Sequence, residues 1–116
     1  MINDLNDLKT RLHQFAEERD WDQYHSPKNL AMALIVEAAE LVEHFQWLTQ
    51  DESRLLPADK LKAVEAELAD ILIYLTRIAD KLDIDLYKAA ERKLEDNAKK
   101  YPVDKVRGLS KKYNEY

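Results

Sequence analysis

The 116-residue chain contains no cysteine, which excludes disulfides and thiolate metal sites. It has one glycine, Gly108, and three prolines, too little punctuation for a protein built from hairpins and tight turns. No uninterrupted apolar run approaches the ~20 residues of a membrane span, so no membrane partner is expected. The opening "MINDLNDLKT" lacks the basic start and apolar core of a signal peptide, and a cytoplasmic location is expected. Positive charge is also scarce: 18 Lys and Arg against 23 Asp and Glu leave a net charge of −5. Such a balance is wrong for gripping a nucleic-acid backbone, which needs a basic face.

What remains is rich in good helix formers, Leu, Ala, Glu, Lys and Arg, and the fold class is all-α. The length is that of one domain, 1–116, able to bury a modest core that oligomerisation would enlarge. Four main helices are legible. The first runs from about Asn3 to Asp20, with Leu5, Leu8, Leu12 and Phe15 at helical spacing. "WDQYHSPKN" interrupts it, and Ser26 before Pro27 is an N-cap followed by proline in the first turn. The second helix extends from there to about Thr49. "TQDESRLLPAD" is a polar loop with room for a short turn. The third helix runs from near Pro57 to about Leu82, the fourth from about Leu86 to Lys100, where Pro102 stops it. The tail beyond has no clear period.

The second helix carries an anomaly. "LIVEAAELVEHFQW" is largely apolar, yet Glu37 and Glu40 stand within it one turn apart, with Glu43 a turn further on. At about 100° per residue, the angular neighbours of Glu37 are Leu30, Leu34, Leu41 and Leu48. Glu40 falls at the edge of that stripe, beside Ala33 and Trp47. The third helix repeats the pattern: Glu67 and Asp70 are three apart, flanked by Val64, Ile71, Tyr74 and Ile78. A lone ionised carboxylate is strongly disfavoured in such surroundings, and several together repel unless a cation intervenes. Two readings are open. In one, two facing helices place four oxygen-bearing groups around one cleft, a donor set that suits Mg²⁺ or Mn²⁺. In the other, the acids pair with Lys or Arg across a bundle. A di-iron centre would need Glu-x-x-His on two helices. Three residues before His13, His25 and His44 stand Thr10, Asp22 and Leu41, so that motif is absent.

"FAEERDW", "HSPKNLAMALIVEAAELVEHFQW", "ELADILIYL" and "KLEDNAKKYPVDKVRG" together resemble, in order and over nearly the whole chain, the all-α NTP pyrophosphohydrolases of the MazG-like superfamily, and most closely its dCTP pyrophosphatase branch. The resemblance implies a four-helix, MazG-like bundle assembled as a dimer or tetramer with sites between subunits. It implies Mg²⁺-dependent hydrolysis of a dNTP, dCTP or a modified dCTP, to the monophosphate and pyrophosphate, as a house-cleaning activity on the nucleotide pool. The family's metal and catalytic carboxylates map onto Glu37, Glu40, Glu67 and Asp70. Its base-holding residues map onto Trp21, His25, Trp47 and Tyr74, and its polar and basic residues on the last helix onto Lys93, Asn97 and Tyr101. Many members carry a further Glu immediately before the first metal Glu. Here Val36 stands there, which leaves the ExxE pair intact but removes whatever that acid does elsewhere.

A triphosphate brings four negative charges to an already acidic site, so cations must bridge the two. Water is expected to attack the α-phosphorus, oriented by one of the four acids or by Glu43. Lys93 and Lys100 are candidates to reach the leaving phosphates, against a solvated helix face as the competing reading for each lysine, which fits Lys99 better than Lys93. Trp21 and Trp47 suit base stacking. Core packing is the competing reading for Trp21, and turn capping for His25. Two other functions fit the same residues: a non-catalytic helical interaction module held by salt bridges, and a metal-storage or metal-sensing bundle. Pyrophosphate release from a dNTP separates the enzyme from both. The apolar residues on several faces of helices two and three, Leu34, Ile35, Val36, Leu41, Val42, Leu72, Ile73 and Leu75, exceed what one helical layer buries and call for a homo-oligomer.

Overall fold

The computed structural model of the chain describes residues 1–110 and 112–115. Among them all regular structure is helical: α1 (Leu5–Glu18), α2 (Pro27–Glu43), α3 (Gln50–Ser53), α4 (Ala58–Lys81), α5 (Leu86–Lys100) and α6 (Val103–Val106), with single 3₁₀ turns at Asp22–Tyr24 and Tyr113–Glu115. The four long helices correspond to those read from the sequence. No helix among the described residues is long and apolar enough to cross a membrane. The chain forms two compact units, Met1–Asp83 and Ile84–Tyr116.

In the first unit α2 packs along α4, and α1 packs on α4 as well. The helix boundaries have local causes. Asp4 is extended, and its side chain accepts the Asp7 N–H at 2.8 Å, so α1 starts one residue later. It ends in a Schellman motif, with Asp20 N–H donating to Glu17 O and Trp21 N–H to Ala16 O, and with Asp20 in the left-handed region at φ 56°. Two chain-reversing hydrogen bonds offset the cost of a non-glycine residue there. Ser26 caps α2 through the Asn29 N–H, as its place before Pro27 predicts.

The second helix is shorter than the sequence suggests. It stops at Glu43 rather than near Thr49. Beyond it three-residue bonds appear, from Phe45 N–H to Val42 O and from Leu48 N–H to Phe45 O, beside one four-residue bond from Gln46 N–H to Val42 O. The reason lies downstream, where Thr49 is extended and begins a new helix. Its hydroxyl accepts the Glu52 N–H while the Glu52 carboxylate accepts the Thr49 N–H. This capping box is worth about 1 kcal/mol and cannot form if α2 runs through Thr49.

The buried apolar core of this unit is small, Ala16 from α1, Leu30 from α2, and Val64 and Ala79 from α4, joined by Thr76 and Arg77. Thr76 spends its hydroxyl on the Leu72 carbonyl, 2.7 Å away within its own helix. Large apolar side chains stay exposed instead: Met32, Ile35, Val36 and Val42 on α2, and Leu61, Leu68, Leu72 and Leu75 on α4.

In the second unit, Asp85 caps α5 through the Lys88 N–H. Pro102 follows it and precedes α6, a short helix that the aperiodic tail did not reveal. Gly108, at φ 80°, reverses the chain after α6, where the left-handed backbone favours glycine.

Candidate functional site

The anomalous acids of α2 and α4 meet. One carboxylate oxygen from each of Glu37, Glu67 and Asp70 lies within 4.8 Å of the other two. The i,i+3 spacing puts Glu67 and Asp70 one turn apart on α4, and the packing of α2 on α4 brings Glu37 to them. Glu37 and Glu67 are half-buried and Asp70 is exposed. With the acids ionised, Glu37 Oε2 and Glu67 Oε2 are buried without a hydrogen-bond partner among the described residues.

Two acceptor oxygens orphaned side by side are costly, and the electrostatics follow. The Glu37 carboxyl is pushed up from 4.5 to about 7, first by a hydrogen bond with the Glu67 carboxyl, then by burial, by a hydrogen bond with and repulsion from Glu40, and by repulsion from Asp70. Glu40, half-buried, thus sits close enough to act on Glu37 but lies outside the group of three. The described ion pairs involve none of these four acids. Among the described residues, then, the acids are not neutralised by the cross-bundle salt bridges of the structural reading. The donor set is all carboxylate oxygen, and both orphaned atoms would be satisfied by a hard divalent cation.

The base-pocket candidates are spread over the first unit. Trp21, about half exposed, packs edge-to-face with Phe15, the ring centroids 5.9 Å apart. Tyr74 is half-buried on α4, one turn beyond Asp70. Trp47 is 87% exposed and lies past the end of α2. The helical wheel that set it beside Glu40 does not extend to it, since α2 ends at Glu43, and its place in the site rests on the family resemblance. His25 ends the 3₁₀ turn Asp22–Tyr24 and is half-buried. Lys93 and Asn97 lie on α5 and Tyr101 is its C-cap, all in the second unit. Glu43, the last residue of α2, is exposed.

Sequence reasoning missed Arg77. Its side chain is only 3% exposed, and it contacts Asp22, Asp80 and His25. The signal was present: a lone cation in the largely apolar "DILIYLTRIA", three residues after Tyr74 and seven after Asp70, hence on their side of α4.

Residues 32–116 match the family model described as "MazG-like family". The chain belongs to the MazG-like family. Relatives include dCTP pyrophosphatase 1 of Mus musculus, 42% identical over 114 residues, and that of Homo sapiens, 43% identical over 115. Each alignment covers 96% of this chain and 66% of the relative. The chain thus spans just under two thirds of the length of these mammalian proteins. Among solved structures, a pyrophosphatase from Archaeoglobus fulgidus superposes with a TM-score of 0.81 at 40% identity. The match covers 88% of this chain and 95% of that one. The MazG-like fold expected from the sequence is the fold observed.

Proposed function

We infer that the chain, acting as one catalytic domain over 1–116, is a Mg²⁺-dependent nucleoside triphosphate pyrophosphohydrolase. Its substrate on this reading is dCTP or a 5-substituted dCTP. The observation that carries the reading is the meeting of Glu37, Glu67 and Asp70 around two orphaned buried oxygens. The names of the mammalian relatives support the choice of base and of bond.

Glu37, Glu67 and Asp70 would hold the metal, with Mn²⁺ an acceptable substitute for such oxygen donors. Bound there, the cation would supply charge neutralisation and activation of water and phosphate. Glu40, beside Glu37 but outside the three, orients the attacking water and takes its proton. The water oxygen bonds to the α-phosphorus, the bond from that phosphorus to the α–β bridging oxygen breaks, and pyrophosphate leaves with the electron pair. On the family resemblance, Trp21, His25, Trp47 and Tyr74 are the base-holding candidates, and Lys93, Asn97 and Tyr101 of the last long helix are substrate-binding candidates.

The active form is a homo-oligomer, dimer or tetramer. Eight exposed apolar side chains on α2 and α4 form a surface that a second copy would cover, and the core of one copy is small. The net charge of −5 speaks against a nucleic-acid partner. We place the enzyme in the cytoplasm, with the nucleotide pool it would act on.

The test is a panel of the four dNTPs and 5-methyl-dCTP with Mg²⁺, separating monophosphate, diphosphate, phosphate and pyrophosphate. Pyrophosphate and dCMP should form fastest from the cytosine nucleotides, and in ¹⁸O-water the label should enter the monophosphate. Release of diphosphate and inorganic phosphate, or no turnover of any member, would overturn the reading.

A further inference from the structure

Arg77 is nearly inaccessible, yet it is charged and lies on the helix that carries Glu67 and Asp70. Its Nη2 donates to Asp22 Oδ1 at 3.1 Å and faces His25 Nδ1 at 3.1 Å. Its Nη1 lies 3.5 Å from Asp80 Oδ2, and Nε has no hydrogen-bond partner among the described residues. Lys81, one turn further along α4, also bonds Asp22. Two cations of α4 therefore converge on the 3₁₀ turn between α1 and α2, which holds Asp22 and ends at His25.

This geometry decides a proton position. A guanidinium has five donors and no acceptor, so across 3.1 Å the His25 Nδ1 must present its lone pair. In the neutral ring the proton then sits on Nε2. The charges around the ring agree. Burial, then the Arg77 and Lys81 charges, hold the His25 imidazole below its ordinary 6.5, against the opposing pull of Asp22.

We propose that Arg77 is a positioning residue that clamps the Asp22–His25 turn to α4 and holds His25 neutral, as a hydrogen-bond donor through Nε2. The proposal rests on the pyrophosphohydrolase reading in one respect, that the atom receiving this bond belongs to the substrate's base. A fixed donor selects a base edge that offers an acceptor, as cytosine does at O2 and N3, and it disfavours an N–H at the same place. A histidine free to change tautomer reads both edges alike.

Two experiments on the full chain separate the clamp from its use. The first is ¹⁵N NMR of labelled imidazole in the unaltered protein across pH. Nδ1 should show the unprotonated shift and Nε2 the protonated one at pH 7, with titration below 6.5. In Arg77→Met both tautomers should become populated and the titration should move up. A proton on Nδ1, or a charged ring at pH 7 in the unaltered protein, would overturn the clamp without any variant having to fold.

The second is steady-state kinetics on dCTP. Arg77→Met should raise KM about fivefold, the loss of one well-placed hydrogen bond, with a much smaller change in kcat. In a His25→Ala background it should change KM little further. Independent, multiplying KM effects would overturn the link from Arg77 through His25 to substrate. An NMR result as expected with no dNTP turned over would leave the clamp standing and remove its assigned use along with the pyrophosphohydrolase reading.

Discussion

Replacing Glu37 by Gln keeps the shape of the side chain and removes its charge. In the metal-free protein Glu37 is held protonated up to about pH 7, against 4.5 for the ordinary group. A group whose pKa is raised on folding contributes stability that is full below the unfolded value, here pH 4.5, and that is lost as pH rises through about 7. The shift corresponds to on the order of 3 kcal/mol between the two charge states. Glu37 is only half-buried, so water screens part of this, and a gain of about 1–2 kcal/mol for the variant at pH 8 is the realistic expectation. For a domain of this size that is roughly 4–8 °C in Tm. Metal-free Glu37→Gln should therefore melt with the unaltered protein at pH 5 and several degrees above it at pH 8, by calorimetry in EDTA. Adding Mg²⁺ at pH 8 should raise the Tm of the unaltered protein more than that of the variant, because a ligand stabilises in proportion to its binding. Pyrophosphate release should fall by roughly a hundredfold or more, since a lost metal ligand costs at least what a lost supporting residue does. A variant that melts earlier than the unaltered protein at both pH values, with hydrolysis retained, would refute the reasoning. It would mean that Glu37 neutralises a buried cation instead of repelling its neighbours.

Chelation should abolish hydrolysis outright and Mn²⁺ should restore part of it, measured as pyrophosphate release. Thr49→Ala removes one half of the capping box and should cost about 1 kcal/mol in urea unfolding, with little effect on KM. Asp22→Asn takes a carboxylate from Arg77 and Lys81. The Asp22 pKa is lowered by its bonds to Lys81, then Arg77, so its contribution is present above 3.8 and is lost as pH falls through the depressed value. The variant should thus be less stable at pH 7, with the gap closing in acid, by thermal melts across pH. Ile35→Glu charges an apolar side chain that is 66% exposed on α2. It should dissociate the oligomer in sedimentation velocity, and an unchanged sedimentation coefficient would show that this face is not the interface.

The helical class, the four long helices and the pairs of acids on two of them follow from the sequence, because each is local. Propensity, a 3.6-residue period and caps such as Ser26 before Pro27 act within a few residues. So does the spacing that sets Glu67 and Asp70 on one side of α4. The end of α2 was harder to place, since continuing the helix competes with a capping box at Thr49, and the winner depends on bonds that periodicity does not register. The wheel position read for Trp47 depended on that one boundary. Three things were decided only by tertiary structure. The packing of α2 on α4 determined that Glu37 joins Glu67 and Asp70 while Glu40 stands just outside. The same packing brought the Glu67 carboxyl into hydrogen-bonding reach of Glu37 and withdrew the pair from water, which raises the Glu37 pKa. The close approach of α4 to the turn after α1 determined that Arg77 finds Asp22 and His25, residues more than fifty positions away. Period and propensity place a side chain on a face of its own helix. Which charge it meets there depends on how the helices dock, and that is settled by burial summed over the whole interface.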